Sequence, residues 1–267
     1  MNFLLKLIKN LKMESFKVVH WNVLADSLSD GFPYVNPKYL KWQYRLNLIL
    51  KQLQKTNADI INLVEVDFDC VHYFKSAFPD YFYSYAKKNS SDNKEGVLML
   101  INLKKFKVLE TNTLNLLKDR SQVAEIIKIK DRKTENVFNL VGTHLKAKPG
   151  FEKSRLKQVE TILNFIGNEN AIFMADLNDV VGSECYKCLV NHDFRDVYKD
   201  KDLKYTTSKK RAKLVTRVID YIMYRNEQLK VIAVEKVPQL VTLPLIGLPS
   251  KDIPSDHVMI GATFQWK

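Results

Sequence analysis

Cysteine is scarce: the 267 residues hold three, Cys70, Cys185 and Cys188. That excludes a disulfide scaffold, and a chain of this length buries enough surface to fold without one. Cys185 and Cys188 form one C-x-x-C, but a structural zinc site needs a second pair and none exists. Plain packing is their expected role. Glycine and proline number eight each, too few for a collagen-like or low-complexity chain. Long apolar runs are missing as well. The longest late stretch without charge, 237–250, has 14 residues and is broken by Pro238 and Pro244, so no stable membrane insertion is expected. Acidic residues are outnumbered, 30 against 42 basic, for a net charge of +12. A charge of this sign steers phosphate-bearing ligands toward the surface, although lysines spread along the whole chain are mostly solvated.

What is present reads as an ordinary globular chain, 46% hydrophobic and 27% charged. The first residues, MNFLLKLIKNLK, are basic and amphipathic, with Leu4, Ile8 and Leu11 at helical spacing. No small-residue cleavage site follows them. Residues 1–15 are therefore read as an extension ahead of one domain over 16–267, containing a second methionine, Met13. With few cysteines and no secretory signal, an intracellular, cytoplasmic location is expected.

Strands are expected at 16–24, 60–64, 97–102, 123–130, 137–143, 171–175, 218–224, 230–235 and 258–264. Helices are expected at 69–78 and 152–166, and where Trp42, Leu46, Ile49, Leu50 and Leu53 share a face. Many strands and few helices, without strict alternation, point to a mixed α/β protein with helices packed outside two sheets.

The apolar runs end in polar residues. VVHWN ends at Asn22, IINLVE at Glu65, NLVGTH at His144, and IFMADLN at Asp176 and Asn178; Asp220 stands in VIDY, and Asp256 and His257 in PSDH. One such ending is a loop or cap residue. Six in one chain fit strand ends that converge on a single site. Glu65 is a hard carboxylate suited to Mg²⁺, with Mn²⁺ the alternative. Asp176 could orient or deprotonate a water, Asn178 could donate to a phosphate oxygen, and His257 could hold a phosphoryl group with a carboxylate fixing its ring. No G-x-S-x-G and no Walker A run occurs. His20, His72 and Trp21 are read as packing or surface residues, His192 as part of a polar loop, and KKRAK at 209–213 as a solvated loop beside a cleft.

The ordered set W-N, E-V-D, T-H-L-K-A, D-L-N, D-Y-I and P-S-D-H resembles the endonuclease/exonuclease/phosphatase superfamily, the DNase-I-like fold. The likeness runs from about residue 17 to 265. LKWQYR at 40–45, THLKAKPGFEKSR at 143–155, YTT at 205–207 and LPSKDIPSDH at 248–257 are similar to its nocturnin/deadenylase-like branch. The resemblance implies a four-layer α/β sandwich, two mixed β-sheets flanked by helices, with the site at one edge. It implies Glu65 as the main Mg²⁺ ligand, with Asn22 and Asp256 on the metal side. Asp176 would activate water, Asn178 would bind phosphate, and His144 would face it. His257 would contact the scissile phosphate, oriented by Asp220, while Lys146, Lys148 and Arg217 would meet substrate phosphates. Departures are Val64, where the family has glutamine before the glutamate, Glu95 for aspartate before Gly96, and Arg217 one position off.

The implied function is a metal-dependent phosphoester hydrolase working as a monomer on an RNA 3′ end or a phosphorylated nucleotide. A 3′-exoribonuclease leads; an NADP(H) 2′-phosphatase and a 2′,5′-oligoadenylate phosphodiesterase are the alternatives. A different class, an inactive member that binds nucleic acid, is opposed by the intact set of polar residues.

Overall fold

The structure, a computed structural model, describes residues 14–88, 94–116, 121–239 and 242–267. The amphipathic segment at 1–12 lies outside them. The strands are β1 (Ser15–Asn22), β2 (Ile60–Asp67), β3 (Tyr81–Lys87), β4 (Glu95–Asn102), β5 (Phe106–Asn115), β6 (Val123–Asp131), β7 (Val137–His144), β8 (Ala171–Asp176), β9 (Arg195–Asp196), β10 (Thr207–Lys210), β11 (Leu214–Arg217), β12 (Asp220–Arg225), β13 (Leu229–Val234) and β14 (Ile260–Trp266). Among the described residues, four helices of seven or more residues cover them: α1 (Trp42–Thr56), α2 (Val71–Ala77), α3 (Glu152–Ile166) and α4 (Glu184–Asn191).

Two six-stranded sheets form, ordered β13-β14-β1-β2-β4-β3 and β5-β6-β7-β8-β12-β9, with β10 and β11 as a separate hairpin. Strand alternation explains why they stack. In β1, Val18 faces the other sheet while Val19 and Trp21 face α1 and α2; in β8, Ile172 and Met174 face inward while Phe173 and Ala175 face α3 and α4. Each sheet thus buries one face against its partner and the other under helices. The result is the four-layer sandwich, with no helix among the described residues long and apolar enough to cross a membrane.

The layers approach closely at one point. A Cβ on Gly142 of β7 would lie 2.1 Å from Asn62 Oδ1 on β2, so only glycine leaves room for that amide. Asn62 in turn donates from Nδ2 to the Met174 carbonyl at 3.3 Å, tying one sheet to the other.

Five strands, β3, β5, β9, β10 and β11, and the helix α4 escape the sequence reading. β3 (YFYSYAK) and β5 (FKVLETNTLN) are outermost in their sheets apart from β13 and β9, so they carry polar residues on their open sides. KKRAK is not a free loop: Lys209 and Lys210 close β10, paired with Val215 and Leu214 of β11. The C-x-x-C lies on α4, where Ser183 caps the helix by accepting from Tyr186 N. Burial pushes the Cys185 thiol up to about 11, the behaviour of a packed cysteine.

Candidate active site

Register brings the polar strand ends together. β1 and β2 are parallel, so Asn22 pairs with Val64 and both strands stop at the same edge. β7 and β8 are also parallel, with His144 beside Asp176, and antiparallel β12 starts there with Asp220 opposite Asp176. β14 runs antiparallel to β1, with His20 opposite Ile260, so the preceding Asp256 and His257 reach the same edge.

Glu65 needs a further device. Val64 packs inward with Val97 and Val123, and Val66 packs outward under the helices. Regular alternation leaves no inward place for residue 65. The β2–β4 register shifts between Val64 and Val66, and Glu65 takes φ +58°. This bulge re-aims the carboxylate toward the other sheet.

There a single amide links both sheets. Asn22 Nδ2 donates to Glu65 Oε1 at 2.8 Å and to Asp176 Oδ2 at 3.0 Å. Its Oδ1 accepts from Leu24 N at 3.0 Å, which fixes the amide orientation. His144 lies over the same pair, Nδ1 3.9 Å from Glu65 Oε1 and Nε2 3.7 Å from Asp176 Oδ2. Across from them, His257 Nδ1 is 2.8 Å from Asp220 Oδ2, and its Nε2 lies 3.8 Å from Asp176 Oδ2 and 3.9 Å from Asp256 Oδ2. Trp21 Nε1 donates to the His257 carbonyl at 3.0 Å, and Ser255 Oγ donates to the Asn22 carbonyl at 2.7 Å.

Burial sets the protonation pattern. It raises the Asp176 carboxyl to about 7, with Asp220 adding to the push. It also raises Glu65, with Asp256 as the next cause. His144 is held well below the usual imidazole range by burial and then by Lys88. For His257, burial opposes the charged form, but Asp220 and Asp256 outweigh it and hold the imidazolium. Asp220 is likewise pushed up by burial but drawn below the usual carboxylate range by His257 and His20.

The remaining candidates sit around this centre. Asn178 takes φ +51°, its backbone N–H donates to Asp176 Oδ1 at 2.8 Å, and its side chain donates to the Leu145 carbonyl at 3.0 Å. Lys146 lies 5.4 Å from the Phe151 ring centroid, while Lys148 and Arg217 are exposed. None of the three is bonded to the carboxylates of this centre. Their loop is nonetheless built: buried Arg155 donates to the Lys146 and Lys148 carbonyls at 3.0 Å each and pairs with Asp179 at 2.9 Å.

Sequence reading missed several supports. His20 is buried, as a packing residue would be, but its Nε2 lies 3.5 Å from Asp220 Oδ1 and its Nδ1 is 2.8 Å from Asn62 Nδ2. The signal was its spacing: His20 and Asn22 alternate with Val19 and Trp21, hence share an inward face. Thr206 Oγ1 accepts from Asp220 N at 3.1 Å. Lys88 pairs with Glu95 at 2.5 Å and comes within 3.4 Å of His144 Nδ1. His72 and His192 are exposed, as expected.

A divalent cation fits this donor set. Asn22 joins Glu65 to Asp176, His257 Nε2 lies within 4 Å of both Asp176 and Asp256, burial holds His144 neutral, and Lys88 is paired with Glu95. Burial raises these carboxyls, with Asp220 and Asp256 adding to it, and a cation placed among them would hold them ionised. Oxygen donors in that state suit a hard ion. Asp176, Asp220 and His257 also bring ligand-type atoms within 4.8 Å of one another, but the Asp220–His257 hydrogen bond marks that pair as a charge-fixing couple. Glu65 and Asp256 keep 13% and 11% side-chain exposure against 1% for Asp176 and Asp220, so the open side of the centre is theirs.

Residues 19–257 match the Endonuclease/Exonuclease/phosphatase family. Nocturnin from Rattus norvegicus is 28% identical over 287 aligned residues, covering 94% of this chain and 65% of that protein. The chain therefore spans about two thirds of the length of that relative. The human nocturnin catalytic domain, solved with a bound sulfate anion, superposes with a TM-score of 0.76 at 24% identity, covering 95% of each chain. ANGEL2, described as a 2′,3′-cyclic phosphatase, superposes with a TM-score of 0.82 at 19% identity, covering 96% of this chain and 97% of that one.

Proposed function

The chain belongs to the endonuclease/exonuclease/phosphatase family, and from that premise we propose that it is a divalent-metal-dependent phosphoester hydrolase acting on the 3′ end of RNA. One observation carries this reading: a single amide, that of Asn22, holds Glu65 from one sheet and Asp176 from the other, facing an imidazolium fixed by Asp220. Nucleic acid or nucleotide is the substrate class, supported by the net charge of +12 and by the likeness to nocturnin.

Glu65 and Asp256 would hold Mg²⁺ or Mn²⁺, with Asn22 beside it. The bound ion would neutralise charge on the phosphate and on the leaving oxygen. Asp176 accepts a proton from the attacking water; a carboxyl raised to about 7 is a stronger base than a free one and is matched to neutral pH. Asn22 and the Asn178 N–H fix the orientation of that carboxylate. The water oxygen bonds to phosphorus and the P–O3′ bond breaks; a 5′-mononucleotide departs, and the shortened strand keeps the 3′-oxygen, which takes a proton from solvent. His257 keeps Nδ1 on Asp220, which leaves Nε2–H free to donate to a nonbridging phosphate oxygen as charge grows there. Neutral His144 adds a polar contact without repelling a cation.

The deciding assay sets oligo(A), 2′,5′-oligoadenylate and NADP(H) side by side, with product analysis and an EDTA arm. EDTA-sensitive release of 5′-AMP from oligo(A) is expected. Phosphate released from NADP(H) alone would replace the reading with a nucleotide phosphatase. Turnover of none of them, with oligonucleotide still bound, would make this an inactive binding member.

A further inference from the structure

Two segments leave the candidate centre from opposite sides and meet again. The first follows β1. Asn22 gives way to Leu24 and Ala25, whose N–H groups reach Asn22 Oδ1 and Glu65 Oε2. Buried Arg45 clamps this turn through the Val23 and Leu24 carbonyls at 3.1 and 2.7 Å, and Ser27 fastens the next residues to Asp67. Phe32 and Val35 then bury themselves with Leu24, which holds Tyr34 between them at the surface, 49% exposed.

The second segment is β10. Thr207 bridges His257, and Ser208 N donates to the Asp256 carbonyl at 2.9 Å, so the strand starts at the catalytic loop. Two residues on, Lys209 bridges Gly247 and places Nζ 3.7 Å from the Phe32 ring centroid. Lys210 Nζ lies 5.1 Å from the Tyr34 ring centroid. At about 3.3 Å per strand residue, Lys210 stands about 10 Å from the His257 level, one to two nucleotides along an extended strand.

We propose that Tyr34, backed by Lys210, is a stacking platform for a base one or two nucleotides from the scissile phosphate, so that the site takes a single-stranded polynucleotide. This rests on the hydrolase reading and sharpens its substrate class. Three observations carry it. The ring is open to solvent although the residues on either side of its loop are buried. It is held in place from both ends by segments rooted at Glu65 and at His257. Its neighbours are cationic, which suits a phosphate backbone passing beside the stacked base.

The test is equilibrium binding of fluorescein-labelled oligo(A) by the full chain without divalent ion, so that no turnover intervenes. Tyr83 supplies a matched control: it is 39% exposed with Lys75 Nζ 4.5 Å from its ring centroid, but it lies on β3. Tyr34→Ala is expected to weaken oligo(A) about tenfold more than it weakens 5′-AMP, Tyr34→Phe to bind like the parent, and Tyr83→Ala to change nothing. Circular dichroism melts establish that each variant is folded. Equal affinity of Tyr34→Ala and parent for oligo(A), or equal losses on oligo(A) and 5′-AMP, overturns the platform. A loss on NADP(H) as large as that on oligo(A) overturns the polynucleotide assignment. If the parent binds oligo(A) through Tyr34 but hydrolyses nothing with Mg²⁺, the hydrolase reading fails and the platform stands.

Discussion

The two ends of the sandwich are built from the same strands and closed in opposite ways. At the end where β1 and β7 begin, Phe16, Phe106, Phe138, Phe264 and Trp266 fill the space between the sheets, with Phe16 5.4 Å from Phe106 and 5.6 Å from Phe264 between ring centroids. The carboxylates there are fully engaged. Asp131 accepts from Trp266 Nε1 at 2.9 Å and from two backbone N–H groups, and Asp59 accepts from Lys17 N, Lys105 Nζ and Asn102 Nδ2. At the other end the same two sheets enclose carboxylates and imidazoles. Buried polar atoms are left there without a hydrogen bond, among them His20 Nε2, Asn62 Oδ1, Glu95 Oε2 and Asp220 Oδ1. Glu65 and Asn178 hold positive φ. The aromatic end supplies cohesion that the polar end forgoes, and stability is spread unevenly so that reactivity can sit at one edge.

That contrast can be broken by substitution. Glu65→Ala should abolish Mg²⁺-dependent turnover on oligo(A) with the circular dichroism spectrum intact; unchanged turnover would remove the metal assignment. Asp176→Asn should lower kcat by about 10²–10⁴, the scale for a positioned proton acceptor, and a loss below about tenfold would count against that role. At the aromatic end, Phe138→Ala should cost about 3–5 kcal/mol in denaturant unfolding, with kcat of the folded fraction unchanged. An equal stability loss from Asp176→Asn would erase the distinction between the ends.

The pH dependence sharpens the comparison. Asp176 titrates near 7 in the folded protein against an ordinary 3.8, so the folded state holds the proton more tightly than the unfolded chain does. Between about pH 4 and pH 7 its contribution to stability therefore declines as pH rises, provided no divalent ion is bound. Melting of the metal-free protein across that window should show a weaker decline in Asp176→Asn than in the parent. The smallest effect is expected on the rim. Lys146→Ala should weaken oligo(A) binding severalfold at low salt and less at high salt; an effect indifferent to salt would indicate packing instead.

Much of this edge was legible in the sequence because strands alternate. Polar residues ending apolar runs at Asn22, His144 and Asp176 had to lie at sheet ends, and the parallel pairings put those ends on one side. The order of motifs then supplied the roles. His20 is buried as a packing residue is, but a histidine inside a strand gives no sign that the opposite sheet places Asp220 against it. Lys88 and Glu95 meet across 7 positions of β3–β4 pairing, which no local pattern announces. Arg45 and Arg155 entered only as the last letters of LKWQYR and THLKAKPGFEKSR, and nothing in those motifs told that both are buried, capping loop carbonyls beyond their own helices. Tyr34 stands outside every strand and helix expected from the sequence, and its neighbour Lys210 is 176 residues away in the chain.

The extra residue in β2 has a consequence for how such a protein can be altered. Deleting Val64 would let the ladder with β4 close without interruption and would set Glu65 opposite Val97, in the place where Val64 now packs against Val123. The shortened chain would own the tidier sheet, and its carboxylate would stand among Ala86, Val97 and Val123 in a regular strand, without the backbone turn that now aims it. At this one peptide, geometric perfection and chemical competence exclude each other.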